Sequence, residues 1–152
     1  PLGEHPRDLL PNRIIVPWPY TDLSDPRYRF GQQFITVMQT FTGTKTKLGL
    51  SHREKWVAYL NGESLFVKRF DYEEGARYPD LGCNFETYTD SEMIEIESLS
   101  PLKRLQKGES VSHTERWSLL YHPPQPSSLK EEDLALWIES ITPLVPLLDR
   151  NA

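Results

Sequence analysis

The sequence predicts an all-β protein, an antiparallel β-sandwich with one C-terminal α-helix. Three observations carry this. Short segments whose residues alternate in type, as a strand with two different faces would, recur through the first 122 residues. Thirteen prolines break the chain into short pieces and disfavour long helices. A single run, after His122, places apolar residues at helical spacing.

Residues 1–12 are proline-rich and read as irregular. Arg13 to Val16 reads as a short β-branched strand, stopped by Pro17 and Pro19. Trp18-Pro-Tyr-Thr-Asp-Leu-Ser-Asp-Pro-Arg27 has turn chemistry throughout, since Asp and Ser bond nearby backbone and proline fixes φ. This loop carries two aromatic rings. Phe34 to Phe41 reads as a strand ended by Thr42-Gly43-Thr44, and Lys47 to Leu50 as a shorter one. Lys55 to Leu60 and Ser64 to Phe70 read as a hairpin turning at Asn61-Gly62, because both residues tolerate φ > 0. Asp71 to Leu81 reads as a polar loop.

Three alternating pieces follow: Cys83 to Asp90, Met93 to Leu99 and Ser110 to His122. Pro101 and Lys107-Gly108-Glu109 supply the breaks between the last two. In the middle piece Met93, Glu95 and Glu97 share one face, and Ile94 and Ile96 the other. Two carboxylates on one face repel if both are buried and charged, so that face is either wet or binds something. Beyond His122, Pro123 to Pro126 reads as a stiff linker. Ser128-Leu-Lys-Glu131 fits a capping box with Ser128 as N-cap and Glu131 at N3. Leu134, Trp137, Ile138 and Ile141 then form the apolar stripe of a helix that ends before Pro143 and packs on the sheet.

The composition sets outer limits on function. A chain of 152 residues can bury one sizeable core. A net charge of -5, with basic residues scattered, argues against general nucleic-acid binding, which needs a basic surface. No apolar run approaches the ~20 residues of a membrane span. The residues fit a soluble protein of the cytoplasm or periplasm. The single cysteine, Cys83, allows no internal disulfide. Phosphate-binding glycine loops, CxxC, HExxH and G-x-S-x-G motifs are all absent from the sequence. His5, His52, His113 and His122 are far apart along the chain. The expectation is therefore no metal, no cofactor, no nucleic-acid partner and no membrane.

Aromatic and polar residues mixed on strands and loops remain. A flat ring under a sugar's C–H face, with charged or amide groups at its hydroxyls, is a common way to hold a carbohydrate. Trp18, Tyr20, Trp56, Phe66, Phe70, Tyr88 and Trp117 are ring candidates, with core packing as the plain alternative for most. Lys68 lies between Phe66 and Phe70 on one strand face; the alternative is a stem covering apolar surface. Glu95 and Glu97 have the alternative of a solvated face. Asp25-Pro26-Arg27 reads as a turn with a local ion pair.

Tyr88-Thr89, Ile96-Glu97 and Leu105-Gln-Lys-Gly-Glu109 before an alternating last strand resemble the C-terminal part of the galactose mutarotase-like (aldose 1-epimerase-like) superfamily. That superfamily shows a Tyr-Thr-Gly-Asn strand, a strand with the catalytic Glu, a Leu-x-Pro-Gly-Glu turn and a closing strand. Asn12-Arg13, Trp18 to Arg27, Lys47-Leu-Gly-Leu50, Trp56-Val-Ala-Tyr59 and Leu65-Phe-Val-Lys68 look like an uncharacterised branch of it, over residues 10–122. The resemblance implies that residues 1–122 are the C-terminal portion of a sugar-binding supersandwich, with 123–127 a linker and 128–142 the helix. It also implies a missing upstream half, hence an exposed apolar sheet face and self-association. In the superfamily a Glu takes the anomeric proton and a His protonates the ring oxygen. Glu97 matches the Glu. The loop that carries the His matches Trp18-Pro-Tyr-Thr-Asp-Leu23, where no His stands, and Lys107 replaces the proline of the turn.

The resulting expectation is a carbohydrate-binding protein, an epimerase if Glu97 acts as general base. Trp18, Tyr20, Lys68, Tyr88 and Glu95 are the expected substrate contacts. The alternatives are a non-catalytic sugar-recognition module and a β-sandwich that docks another protein through the helix.

Overall fold

A computed structural model of the chain describes residues 5–7, 9–145 and 148. All strand pairs among them are antiparallel, and one α-helix follows. The nine strands are β1 (Ile15–Pro17), β2 (Tyr28–Phe30), β3 (Ile35–Val37), β4 (Thr46–Leu50), β5 (Trp56–Asn61), β6 (Ser64–Phe70), β7 (Phe85–Thr89), β8 (Glu97–Ser98) and β9 (Glu115–Tyr121). The helix is α1 (Glu131–Ile141), and a 3-10 turn, Thr142–Leu144, continues it. The chain divides into two compact units: residues 1–52 with 72–111, and residues 53–71 with 112–152. The boundary expected after residue 122 therefore falls inside the second unit.

In the first unit β1, β4, β7 and β8 form one sheet in that order, and β2 pairs with β3. Alternation sorts the side chains. Leu48, Phe85, Thr46, Thr87 and Thr89 point to one face and are buried. The hydroxyl of Tyr28 in β2 bonds to that of Thr46 at 2.5 Å, tying the small sheet to the large one. Buried Asn84 accepts from the His52 amide and donates to the His52 carbonyl. Its amide side chain thus stands in for a neighbouring strand. Asp25-Pro26-Arg27 is the expected turn. Arg27 forks onto Asp25, with Nη2 at 2.7 Å from Oδ2, and Nη2 also donates to the Thr44 carbonyl at 2.6 Å.

Several expected strands are shorter than their pattern. Phe34 to Phe41 keeps ladder pairing only over β3, and Tyr28–Phe30 is a strand where none was expected. Met93 to Leu99 is regular only at β8, yet its register with β7 runs on. Thr89 bridges Ile94, the Glu95 amide donates to the Tyr88 carbonyl at 2.7 Å, and Thr87 and Thr89 hydroxyls donate to the Glu95 and Met93 carbonyls. Side chains replace part of the ladder there.

In the second unit the sheet order is β5-β6-β9. The β5–β6 hairpin sits one residue later than Asn61-Gly62 would place it. Asn61 pairs with Ser64, so Gly62 and Glu63 are the turn, and of the two Gly62 alone has positive φ, at 55°. A glycine at the first central position suits that geometry. Leu65, Val67 and Phe70 of β6 are fully buried. On β9, Trp117, Leu119 and Tyr121 stand exposed, Trp117 at 67%.

The capping box is a correction. Lys130, not Ser128, is the N-cap, and its side chain makes no capping bond. Ser128 Oγ instead takes the Lys130 amide and bonds to the Asp133 carboxylate. The acidic first turn Glu131, Glu132 and Asp133 complements the helix dipole in place of a capping side chain. Leu134, Trp137 and Ile141 are buried as the stripe requires. Trp137 Nε1 donates to the Pro124 carbonyl at 2.6 Å, and the Gln125 side chain donates to the Gly62 carbonyl, so the middle of the proline stretch is held to both the helix and the β5–β6 turn.

Candidate functional site

The face of the first sheet opposite its buried apolar side carries the charged residues. Register places them in two rows across the strands. One row is Val16, Gly49, Glu86 and Glu97. The other starts at Trp18, which donates its amide to the Lys47 carbonyl and so extends the β1 register. It runs on through Lys47 and Tyr88 to Glu95.

Trp18 is positioned by its own turn. The Thr21 amide donates to the Trp18 carbonyl at 2.9 Å. Thr21 Oγ1 donates to the Lys47 carbonyl and accepts the Lys47 amide, at 2.6 and 3.0 Å. A hydroxyl thus completes the edge of β4 where Pro17 and Pro19 bar regular pairing. Lys47 Nζ then lies 4.9 Å from the Trp18 ring centroid, a cation–π contact. Gly49 leaves the room this needs. A Cβ there would meet Cys83 Sγ at 2.5 Å and Trp18 Cζ3 at 3.2 Å.

Lys47 is the centre of the face. Its ammonium, largely buried, lies 2.7 Å from Glu97 Oε2 and 2.9 Å from Glu86 Oε2. Burial works against its charge, but the bonds to Glu97 and Glu86 outweigh burial and raise its proton affinity well above that of a free lysine. Glu86 is 3% exposed. Burial raises its pKa against the pull of Lys47, and the nearby Asp80 carboxyl pushes the same way. Its second oxygen, Oε1, is buried and has no hydrogen-bond partner.

The two carboxyls Glu95 and Glu97 are shifted in opposite directions. Glu97 is half-buried, and burial alone would raise its pKa. The Lys47 ammonium prevails, with the neighbouring Glu95 carboxyl acting in the same direction, and holds it below the ordinary carboxylate value. Burial and the neighbouring Glu97 carboxylate raise Glu95. Glu97 is thus lowered despite its burial, and the cation responsible is Lys47.

Tyr88, between Lys47 and Glu95 in its row, donates its hydroxyl to Asp90 Oδ2 at 3.0 Å. Partial burial and the bond to Asp90 raise its pKa. Asp90 also accepts the Glu92 and Met93 amides, which hold it below the usual range despite some burial. Tyr20 is half exposed and close enough to Tyr88 to influence its ionisation electrostatically. Beside them, Cys83 is buried with its thiol donating to the Asp80 carbonyl, and burial pushes its pKa up to about 12. It is no nucleophile at neutral pH.

Of the residues singled out from sequence, Glu97, Glu95, Tyr88 and Trp18 thus share one sheet face, with Tyr20 next to them. Lys68 lies on β6 in the second unit, where Glu115 Oε1 holds its ammonium at 2.9 Å. Two residues went unselected. Period-two alternation already placed Glu86 on the Tyr88 face. Lys47 had no signal of its own, since only strand pairing brings it to two carboxylates.

Among the described residues no group of three or more His, Cys, Asp or Glu is placed to hold a metal ion, and no helix is long and apolar enough to cross a membrane. Compared with known proteins, the chain matches no family model, no curated protein and no solved structure.

Proposed function

We propose that this protein binds carbohydrate on the Trp18–Lys47–Glu97 face and exchanges the anomers of a reducing sugar there, with Glu97 as the general base. One observation carries the reading. Glu97, ion-paired at 2.7 Å with the buried Lys47 ammonium, shares a face with the Trp18 indole and the Tyr88 phenol, and Tyr20 lies beside them. Rings cover the C–H face of a sugar, and the fixed charges accept or donate to its hydroxyls. Lys47 orients Glu97 and keeps it charged, which is the state a base needs. The same bond weakens Glu97 as a base, so its work is confined to a proton made acidic by concerted ring opening.

The resemblance of Tyr88-Thr89 and Ile96-Glu97 to the mutarotase-like pattern supports the same reading. The test pairs binding with turnover. Titration of D-glucose and D-galactose against intrinsic fluorescence is expected to give a saturable signal that Trp18→Ala abolishes. Polarimetry of freshly dissolved α-anomers is expected to show accelerated exchange, lost in Glu97→Gln with the fold intact. Binding without accelerated exchange would leave a sugar-recognition module. Absence of both sinks the proposal.

A further inference from the structure

Strand β9 is an edge of the second sheet. Among the described residues it pairs with β6 alone, over seven residues. The His122 amide donates to the Glu63 carbonyl at 2.7 Å, which fixes the phase of the ladder. Even-numbered residues of β9 therefore turn their backbone groups toward β6. Trp117, Leu119 and Tyr121 turn theirs outward, to the open edge. Natural edges are guarded by proline, lysine or a bulge. Glu115–Tyr121 contains none of these.

The same three residues put their side chains on one sheet face, each more than half exposed. Trp117 is nonetheless fixed. Its Nε1 donates to Glu115 Oε2 at 2.9 Å, and its ring meets Phe66 edge-on with the centroids 5.7 Å apart. An exposed indole that is already held loses little freedom on binding, which suits an anchor.

We propose that β9 pairs with β9 of a second copy of this chain, antiparallel, about a two-fold axis at Leu119. Two features of the strand choose this partner and this register. The first is its apolar pattern, which is symmetric about Leu119. Pairing there sets Leu119 against the partner's Leu119 and, on either side, Trp117 against the partner's Tyr121. All of these pairs exchange hydrogen bonds through their outward backbone groups. Moving the axis one residue, to Ser118, would instead set Glu115 against the partner's Tyr121.

The second feature is charge. Arg116 is exposed near the start of β9. Glu63 lies beside the other end, strongly exposed, with His122 Nδ1 3.6 Å from its carboxylate. The Leu119 axis brings Arg116 opposite the partner's His122, and so beside the partner's Glu63. Symmetry makes this contact twice. Within one chain the two are apart, because β6 pairs Arg116 with Arg69 at its far end. The sheets of the two copies then run on as one. None of this depends on the sugar reading.

The contact is small, so the dimer is expected to be weak and to dissociate on dilution through the micromolar range. Sedimentation velocity across that range reads it. Leu119→Lys sets two ammonium groups against each other on the axis and is expected to leave a monomer. Arg116→Glu and Glu63→Arg are each expected to weaken dimerisation about 10-fold. An equimolar mixture of the two is expected to regain it, since the mixed dimer has opposite charges at both contacts. Should Leu119→Lys not fold, the mixture decides alone.

Crosslinking reads the register. Antiparallel residues that exchange both hydrogen bonds lie about 5.5 Å apart at Cα, within disulfide range. Under oxidation Leu119→Cys is expected to form a covalent dimer and Ser118→Cys to stay single. Cys83 is buried and does not compete. A wild type that stays monomeric, with no Leu119→Cys crosslink, overturns the proposal. So does a dimer indifferent to Leu119→Lys, or a crosslink that forms at Ser118→Cys in place of Leu119→Cys.

Discussion

Each unit of this protein carries a lysine on a strand, its stem on the sheet and its ammonium against a carboxylate. Lys68 in the second unit is the more buried, with its side chain 7% exposed against 16% for Lys47. Its partner Glu115 is 23% exposed and also accepts from Trp117 Nε1 at 2.9 Å. Water therefore reaches one side of that pair. Lys47 faces Glu86, which has almost no access to water, and Glu97, which has some. Burial of the lysine is the same kind of feature in both units. What separates a structural pair from a candidate site is the partner, because a carboxylate without water depends wholly on its ammonium.

That dependence is open to measurement. Lys47→Met is expected to cost about 3–5 kcal/mol, since it strands Glu86 as an unpaired buried charge. The loss is expected to shrink at low pH, where Glu86 and Glu97 take up protons. In wild type the sign for Glu97 is opposite. Its folded-state pKa lies below the unfolded one, so its stabilisation is present above the unfolded value and is lost as pH falls through the folded value. Urea midpoints of both proteins across about pH 3–7 check this. A Lys47→Met loss that does not vary with pH would break the comparison.

Gly49→Ala tests how tightly the same face is packed. The added methyl meets Cys83 Sγ and Trp18, both held in place, and is expected to cost about 1–3 kcal/mol. A shift of Trp18 emission without any loss of stability would mean the ring yields easily. Lys68→Met is the smallest change, about 1 kcal/mol, because Glu115 remains hydrated and bonded to Trp117. A loss as large as that of Lys47→Met would erase the distinction between the two units.

The elements that the sequence announced are those set by short-range chemistry. β4, β5, β6, β7 and β9 follow from alternation bounded by turn residues, and α1 from the spacing of Leu134, Trp137 and Ile141. The errors were local substitutions of one hydrogen-bond donor or acceptor for another. Ser128 met Asp133 and the Lys130 amide instead of capping, and Thr87 and Thr89 stood in for ladder bonds beside Met93–Glu95.

Period two by itself determined that Glu95 shares a face with Glu97, and Glu86 with Tyr88, because strand geometry makes that independent of everything else. It determined nothing about which strands are neighbours. Only the tertiary structure put β7 between β4 and β8, and that order brought the Lys47 ammonium within reach of Glu86 and Glu97, residues 39 and 50 positions away in the chain. The opposite pKa shifts of Glu95 and Glu97 follow from that placement. A charge acts through distance and burial, and neither is a property of sequence position.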